Sequence, residues 1–205
     1  MSNEALQRDN RAWLVAVAAI FFPIVYLLSD VIETAQGDFS TVRLALTYVG
    51  EAGFPLFIIG IAAMLHDRLP PWALLGAVAY AYSYVFFTST VVWALVAHTE
   101  SWEALGDDFG WWMTTHGAVM VLGGMSFGIG IARSAALPAW TGWALATGVV
   151  LVAGASGMGN MERTLAAAVP DAAFIGIGVH LFRQSRSSRA HRGHDAHADS
   201  SSRVS

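Results

Sequence analysis

The sequence predicts an all-α membrane protein, a bundle of six transmembrane helices followed by a disordered cytoplasmic C-terminal tail. Three observations carry that expectation. The chain of 205 residues is 55% hydrophobic and only 13% charged, where soluble domains average about 25% charged residues. Its apolar residues gather into runs long enough to cross a bilayer as helices. Its 20 Gly and 8 Trp suit close helix contacts and membrane interfaces, respectively.

Composition also excludes whole classes of chemistry. With no Cys, there is no disulfide, thiolate metal site or cysteine nucleophile, and no redox clue to compartment. All 11 basic residues are Arg, which removes lysine Schiff-base and P-loop chemistry. The net charge of −4 carries no nucleic-acid signal. No nucleotide loop, serine elbow or zinc-binding helix motif is present. Neither a metal nor a cofactor is expected.

Residues 1–11 form a polar cytoplasmic segment, with Arg8 and Arg11 just before the first apolar run. Residues 12–29 are the first span. They read as a membrane helix rather than a cleaved signal peptide, because no small-x-small site follows and five further spans do. Pro23 is placed to kink this span, and Asp30 and Glu33 close it. Residues 30–40 then make a polar loop. The second span covers 41–65 and a short turn covers 66–71. The third span, 72–97, holds Tyr80, Tyr82, Tyr84, Thr88, Ser89 and Thr90.

Residues 98–108 form an acidic loop. The fourth span, 110–132, opens on Trp111-Trp112 and contains His116; its Gly124 and Gly128 permit close helix approach. The fifth span covers 139–155. A tight polar loop at 157–163 carries Asn160, Glu162 and Arg163, and the sixth span, 164–182, carries Pro170-Asp171 and His180. Beyond Arg183 apolar residues nearly vanish. The membrane domain is therefore expected to end at residue 184 and residues 185–205 to be disordered. No internal repeat is evident.

Arginine placement sets the expected orientation. With the N-terminus inside, nine arginines fall on inner segments, and only Arg43 and Arg163 fall outside. Both termini are then cytoplasmic, in a bacterial inner membrane, and the outer loops are acidic.

The second span carries the candidate site. Glu51 lies at its middle, where insertion of an acid costs about 3 kcal/mol. Pro55 has no N–H to offer the Glu51 carbonyl, so a bend is expected there. Arg43, Thr47, Glu51 and Pro55 recur every four residues and form one stripe. At 1.5 Å per residue, Glu51 lies roughly 15 Å from the outer end of its span, Asp171 about 10 Å and His116 about 9 Å. Thr88, Trp112, Asn160 and Glu162 also fall in the outer half or on its rim. The expectation is a polar cavity opening to the extracytoplasmic side. Arg43, Thr47, Trp112, Thr88, Asn160 and Glu162 are its candidate ligand-binding residues, and Glu51, Asp171 and His116 its candidate catalytic ones.

Each residue has a plainer reading. Glu51 can be a neutral acid bonded to a neighbouring helix for packing. His116 can be a neutral histidine bonded to a backbone carbonyl, and Asp171 an early-turn acid at a helix end. Trp111 and Trp112 can be an interfacial belt. His191, His194 and His197 resemble a metal-binding tract but lack a scaffold. His116 and His180 lie toward opposite ends of their spans, which argues against a shared haem.

Two resemblances add to this reading. The stretch Arg133-Ser-Ala-Ala-Leu-Pro138-Ala-Trp140-Thr-Gly142-Trp143 resembles a turn found in many small six-helix bacterial membrane proteins of unknown function. The likeness in span number and loop lengths covers about residues 12–184. It implies the fold, with Pro138 starting a helix and Trp140 and Trp143 anchoring it. More loosely, the chain is similar to membrane-bound terpene cyclases, whose local motifs it does not share. That likeness implies acids on separate helices, here Glu51 and Asp171, and aromatic rings that stabilise a carbocation.

Three functions follow as expectations. The first is a membrane protein, among lipids, holding a lipophilic small molecule or a partner protein in the outer cavity. The second is an intramembrane acid–base enzyme acting on an isoprenoid or lipid, with Glu51 as general acid and Asp171 or His116 as its partner. The third is a proton-coupled transporter with Glu51 as the carrier, for which the chain shows neither a repeat nor a second gate.

Overall fold

The computed structural model describes residues 3–36 and 39–202, with side chains over residues 10–36 and 39–187. Every regular element among them is helical: α1 (Asn3–Gln36), α2 (Thr41–Met64), α3 (Pro71–Ala97), α4 (Trp102–Phe109), α5 (Trp111–Arg133), α6 (Ala139–Gly154) and α7 (Asn160–Ser202). A 3-10 turn, His66–Arg68, joins α2 to α3. Five helices are long and apolar enough to cross a membrane: Asn10–Gln36 of α1, α2, α3, α5 and Asn160–Ser187 of α7. α6 is equally apolar but has 16 residues, about 24 Å of rise, short of the ~30 Å hydrocarbon core.

The bundle is apolar on its outside. Along α1, Leu14, Val17, Phe21, Ile24, Leu28 and Val31 are all exposed, at alternating spacings of three and four that make one helix face. Leu56 and Leu75 project likewise from α2 and α3. Such a girdle would drive aggregation in water and is what faces lipid in a bilayer. Inside, α1 packs on α2, α2 on α3, α3 on α5, α5 on α6, α6 on α7 and α7 back on α1. Six helices thus close a ring, with α4 laid beside α5.

Small residues set how closely the ring closes. A Cβ on Gly128 of α5 would stand 2.7 Å from the Ala146 amide nitrogen of α6, and one on Gly142 would stand 2.3 Å from that of Ala132. Backbone thus meets backbone where α5 turns into α6. Gly123 of α5 and Gly76 of α3 meet in the same way. At mid-depth the interior is aromatic. Phe54 stacks on Tyr84 at 4.3 Å and meets Phe174 edge-on at 5.7 Å; Phe57 meets Phe174 at 4.8 Å and Tyr80 meets Tyr84 at 5.2 Å.

Several boundaries depart from the sequence reading. α1 does not stop at Ser29 but runs through Asp30 and Glu33 to Gln36, because those polar groups find partners inside the bundle. The acidic loop after α3 contains α4, started by the Ser101 hydroxyl accepting from the Ala104 N–H at 3.2 Å. α2 is continuous through Pro55. α7 is helical to Ser202, and the side chains of its last fifteen residues lie outside those described. Between Arg183 and Ser202 there is no proline and one glycine, so nothing there breaks a helix begun upstream. Ser185 is buried and Arg186 covers the Phe182 ring at 4.8 Å, so packing continues past residue 184. The side chains of His191, His194 and His197 lie outside those described.

Candidate functional site

A cavity of about 820 Å³ occupies one half of the ring, at the end that carries the α1–α2, α3–α5 and α6–α7 connections. Its walls come from the C-terminal parts of α1 and α6, the N-terminal halves of α5 and α7, the middle of α2 and α3, and one face of α4. The aromatic layer forms its floor through Tyr26, Tyr80, Tyr84 and Phe87. Met113, Met120, Val121 and Val149 line its sides.

Two carboxyl groups stand over that floor. Glu51 precedes Phe54 by one turn of α2, and Asp171 precedes Phe174 by one turn of α7. Both helices run inward from the same end, and their phenylalanines touch. Glu51 is 3% and Asp171 2% exposed, and both line the cavity. Glu51 Oε2 and Asp171 Oδ2 have no hydrogen-bond partner. A buried carboxyl oxygen without a partner costs roughly 1–3 kcal/mol, so both positions carry an unmet demand for a donor. Tyr26, on α1, lines the same cavity as Glu51, Asp171 and Asp30.

Nearer the connections, a polar network ties three helices. Glu33 of α1 accepts from Arg43 of α2 through Oε2 and from Arg163 of α7 through Oε1, the latter at 2.8 Å. Arg163 also donates to Asn160 Oδ1 at 2.5 Å. The Arg43 guanidinium lies 4.3 Å from the Phe39 ring centre and 5.4 Å from that of Trp102, which joins α4 to the network by cation–π attraction. Thr47 donates to the Ser29 hydroxyl at 3.1 Å, and the Thr34 and Thr164 hydroxyls meet at 2.8 Å. The network explains why α1 stays helical past Ser29: its polar residues are bonded to neighbours instead of to water.

The expected residues divide into those the cavity gathers and those it does not. Glu51 and Asp171 share it. Arg43, Thr47 and Asn160 belong to the network along its edge. His116 stands apart from it: its ring stacks on Phe86 at 3.7 Å, its Nδ1 lies 2.9 Å from the Trp112 carbonyl and its Nε2 3.3 Å from the Tyr82 hydroxyl. That is the carbonyl-bonded histidine of the plainer reading. Trp112 is exposed and stacks on Trp111 at 4.1 Å. Thr88 donates to the Tyr84 carbonyl at 2.7 Å on its own helix, and Glu162 is exposed. Neither lines the cavity.

The cavity also holds residues that the sequence reading did not nominate: Tyr26, Asp30, Glu33, Tyr80, Tyr84 and Arg163. A signal for some of them existed. Ser29, Asp30 and Glu33 fall at helical spacing on one face, but the sequence reading ends the span at Ser29 and places Asp30 and Glu33 in a loop. Among the described residues, no group of three or more His, Cys, Asp or Glu is arranged to hold a metal ion. No family model, curated protein or solved structure matches this chain.

Proposed function

We propose that this is a six-crossing bacterial inner-membrane protein, with both termini cytoplasmic, that holds a lipophilic ligand in the cavity over Glu51 and Asp171. The short α6 serves as the sixth crossing, in keeping with the six-helix proteins that the 133–143 turn resembles. The observation that carries the reading is the pairing of an 820 Å³ cavity, walled largely by apolar and aromatic side chains, with two buried carboxyl oxygens lacking partners. Small-molecule sites have this composition: an apolar volume of roughly 300–1,000 Å³ with a few convergent polar groups. The experiment is mass spectrometry of the protein extracted directly into nanodiscs. A defined lipophilic species should co-purify in near-stoichiometric amount, and Glu51→Gln should deplete it. Bulk membrane lipids in unselected proportion, unchanged by the substitution, would remove the reading.

The same two acids favour a second reading, acid–base catalysis on an isoprenoid or lipid, with one carboxyl group protonated and the other accepting. Glu51→Gln and Asp171→Asn distinguish the two. In an enzyme each should keep the fold and abolish product formation, and the double variant should be no worse than either single one. In a binding protein, bound ligand should fall with no product ever detected.

A further inference from the structure

We propose that the cavity is loaded sideways from the bilayer, through a gap between α5 and α6, by a single-chain lipid amine whose ammonium head docks at Glu51 and Asp171. This rests on the ligand-holding function above and specifies its ligand class and route.

The route follows from how α5 and α6 diverge. They are in backbone contact at Gly128, Gly142 and Ala146, and a Cβ on Gly124 would still meet Val149 at 2.7 Å. Toward the other end the glycines face open space: a Cβ on Gly117, which lines the cavity, or on Gly154 would meet nothing within 4 Å. Between these limits, residues of the cavity wall are themselves well exposed. Leu122 lines the cavity and is 67% exposed, and Ala118 of α5 and Ala153 of α6 line it and are exposed as well. Leu122 sits near the middle of α5, the depth of acyl chains rather than of water or headgroups. An apolar mouth at that depth admits a hydrocarbon chain and disfavours a hydrated solute.

The head group follows from the charges that remain. Glu33 is bonded to both nearby arginines, whereas Asp30, Glu51 and Asp171 line the cavity without a salt bridge to any described cation. Tyr26, Tyr80, Tyr84 and Phe87 surround the same space. Carboxyl groups with aromatic faces complement an ammonium, which donates three hydrogen bonds and is attracted to ring faces. An anionic head gains nothing from these three carboxyl groups, and Arg163, which also lines the cavity, is already bonded to Glu33 and Asn160.

The test uses the full-length protein in phosphatidylcholine nanodiscs. Three photoreactive single-chain amphiphiles of equal length are added: a primary amine, a primary alcohol and a carboxylic acid, each with a mid-chain diazirine. The amine should label peptides containing Tyr80, Tyr84 or Phe87 about tenfold more than the alcohol or the acid, as expected for a charge-assisted hydrogen bond. Glu51→Gln and Asp171→Asn should each remove most of that preference. Leu122→Trp and Ala153→Trp, bulky changes at exposed positions, should slow labelling by the amine. The head-group comparison needs no variant, so a substitution that fails to fold leaves it intact. Equal labelling by all three probes, or weakest labelling by the amine, overturns the head-group assignment while leaving a lipophilic cavity. An unchanged rate in both tryptophan variants overturns the lateral route. No cavity labelling by any probe overturns the proposal together with the function on which it rests.

Discussion

Removing the Glu33 side chain should destabilise this protein more than removing either arginine it bonds. Arg43 has 1% of its side chain exposed and Glu33 10%, so neither charge can turn to solvent. Arg43 Nε and Nη1 have no hydrogen-bond partner; its Nη2 bond to Glu33 and the Phe39 and Trp102 rings are what hold it. Glu33→Ala leaves that guanidinium buried and uncompensated, a change that typically costs about 3–5 kcal/mol. Arg163 is different. It is 21% exposed, keeps Asn160 as an acceptor and can reach water, so Arg163→Ala should cost about 1 kcal/mol or less. Arg43→Ala should fall between them, because Glu33 keeps its bond from Arg163 while α4 loses its cation–π anchor. Replacing the pair together, Glu33→Leu with Arg43→Met, should recover most of the loss, as apolar replacements of buried ion pairs do. The assay is thermal unfolding in detergent, followed by tryptophan fluorescence. A loss of about 4 kcal/mol in a chain of this size lowers the midpoint by roughly 10 °C. Equal losses from Glu33→Ala and Arg163→Ala, or a double variant worse than Glu33→Ala alone, would refute the reasoning.

Reporter fusions at Asp38, Glu103 and Gly159 should read outside and one at Ser205 inside; an outside reading at Ser205 overturns the orientation. Gly128→Ala and Gly142→Ala push a methyl group into backbone and should each cost about 1–3 kcal/mol, whereas Gly117→Ala and Gly154→Ala should be neutral or stabilise by up to about 1 kcal/mol. The reverse order in thermal unfolding would show that the open end is packed. Truncation after Ser187 keeps the buried Ser185 and the Arg186–Phe182 contact, and should leave expression and melting unchanged; a large loss of folded protein would show that the tail docks.

How far the sequence carried depended on whether a feature was set within one helix or between helices. The long apolar runs located the spans because hydrophobic length is a property of a single segment. Depth was readable for the same reason: counting inward from two different loops placed Glu51 and Asp171 in one half of the bundle, where the cavity lies. Glu33 shows the limit. A charge near the end of an apolar run is ordinarily where the span ends, and that rule put Glu33 in a loop. Here its partners are Arg43, ten positions on, and Arg163, on the last helix. No local signal announces a pairing across that distance. His116 shows a second limit. Its depth matched that of the acids, but rotation about the α5 axis turned it against Phe86, away from the cavity, and depth says nothing about rotation.

The shortness of α6 links the closed and open ends of the bundle. A helix of 16 residues has about 6 Å less rise than a ~30 Å hydrocarbon core requires. Gly142 holds it against Ala132 at the α5–α6 turn, and Gly148 holds it at mid-helix against Pro170 of α7. All of the shortfall therefore falls at the other end, where α6 stops at Gly154 beside Ser156 and the head of α7. The ring loses a wall at that level while α5 and α7 continue past it, and this is the level of the cavity mouth. Lengthening α6 there tests the link directly. Two alanines inserted after Ala153 add roughly 3 Å of helix without touching the glycine contacts. Labelling of the cavity by membrane-resident probes should slow, while thermal stability holds or rises. If labelling kept its rate, the mouth would owe nothing to the length of α6, and the gap would have to be assigned to the path of α5 alone.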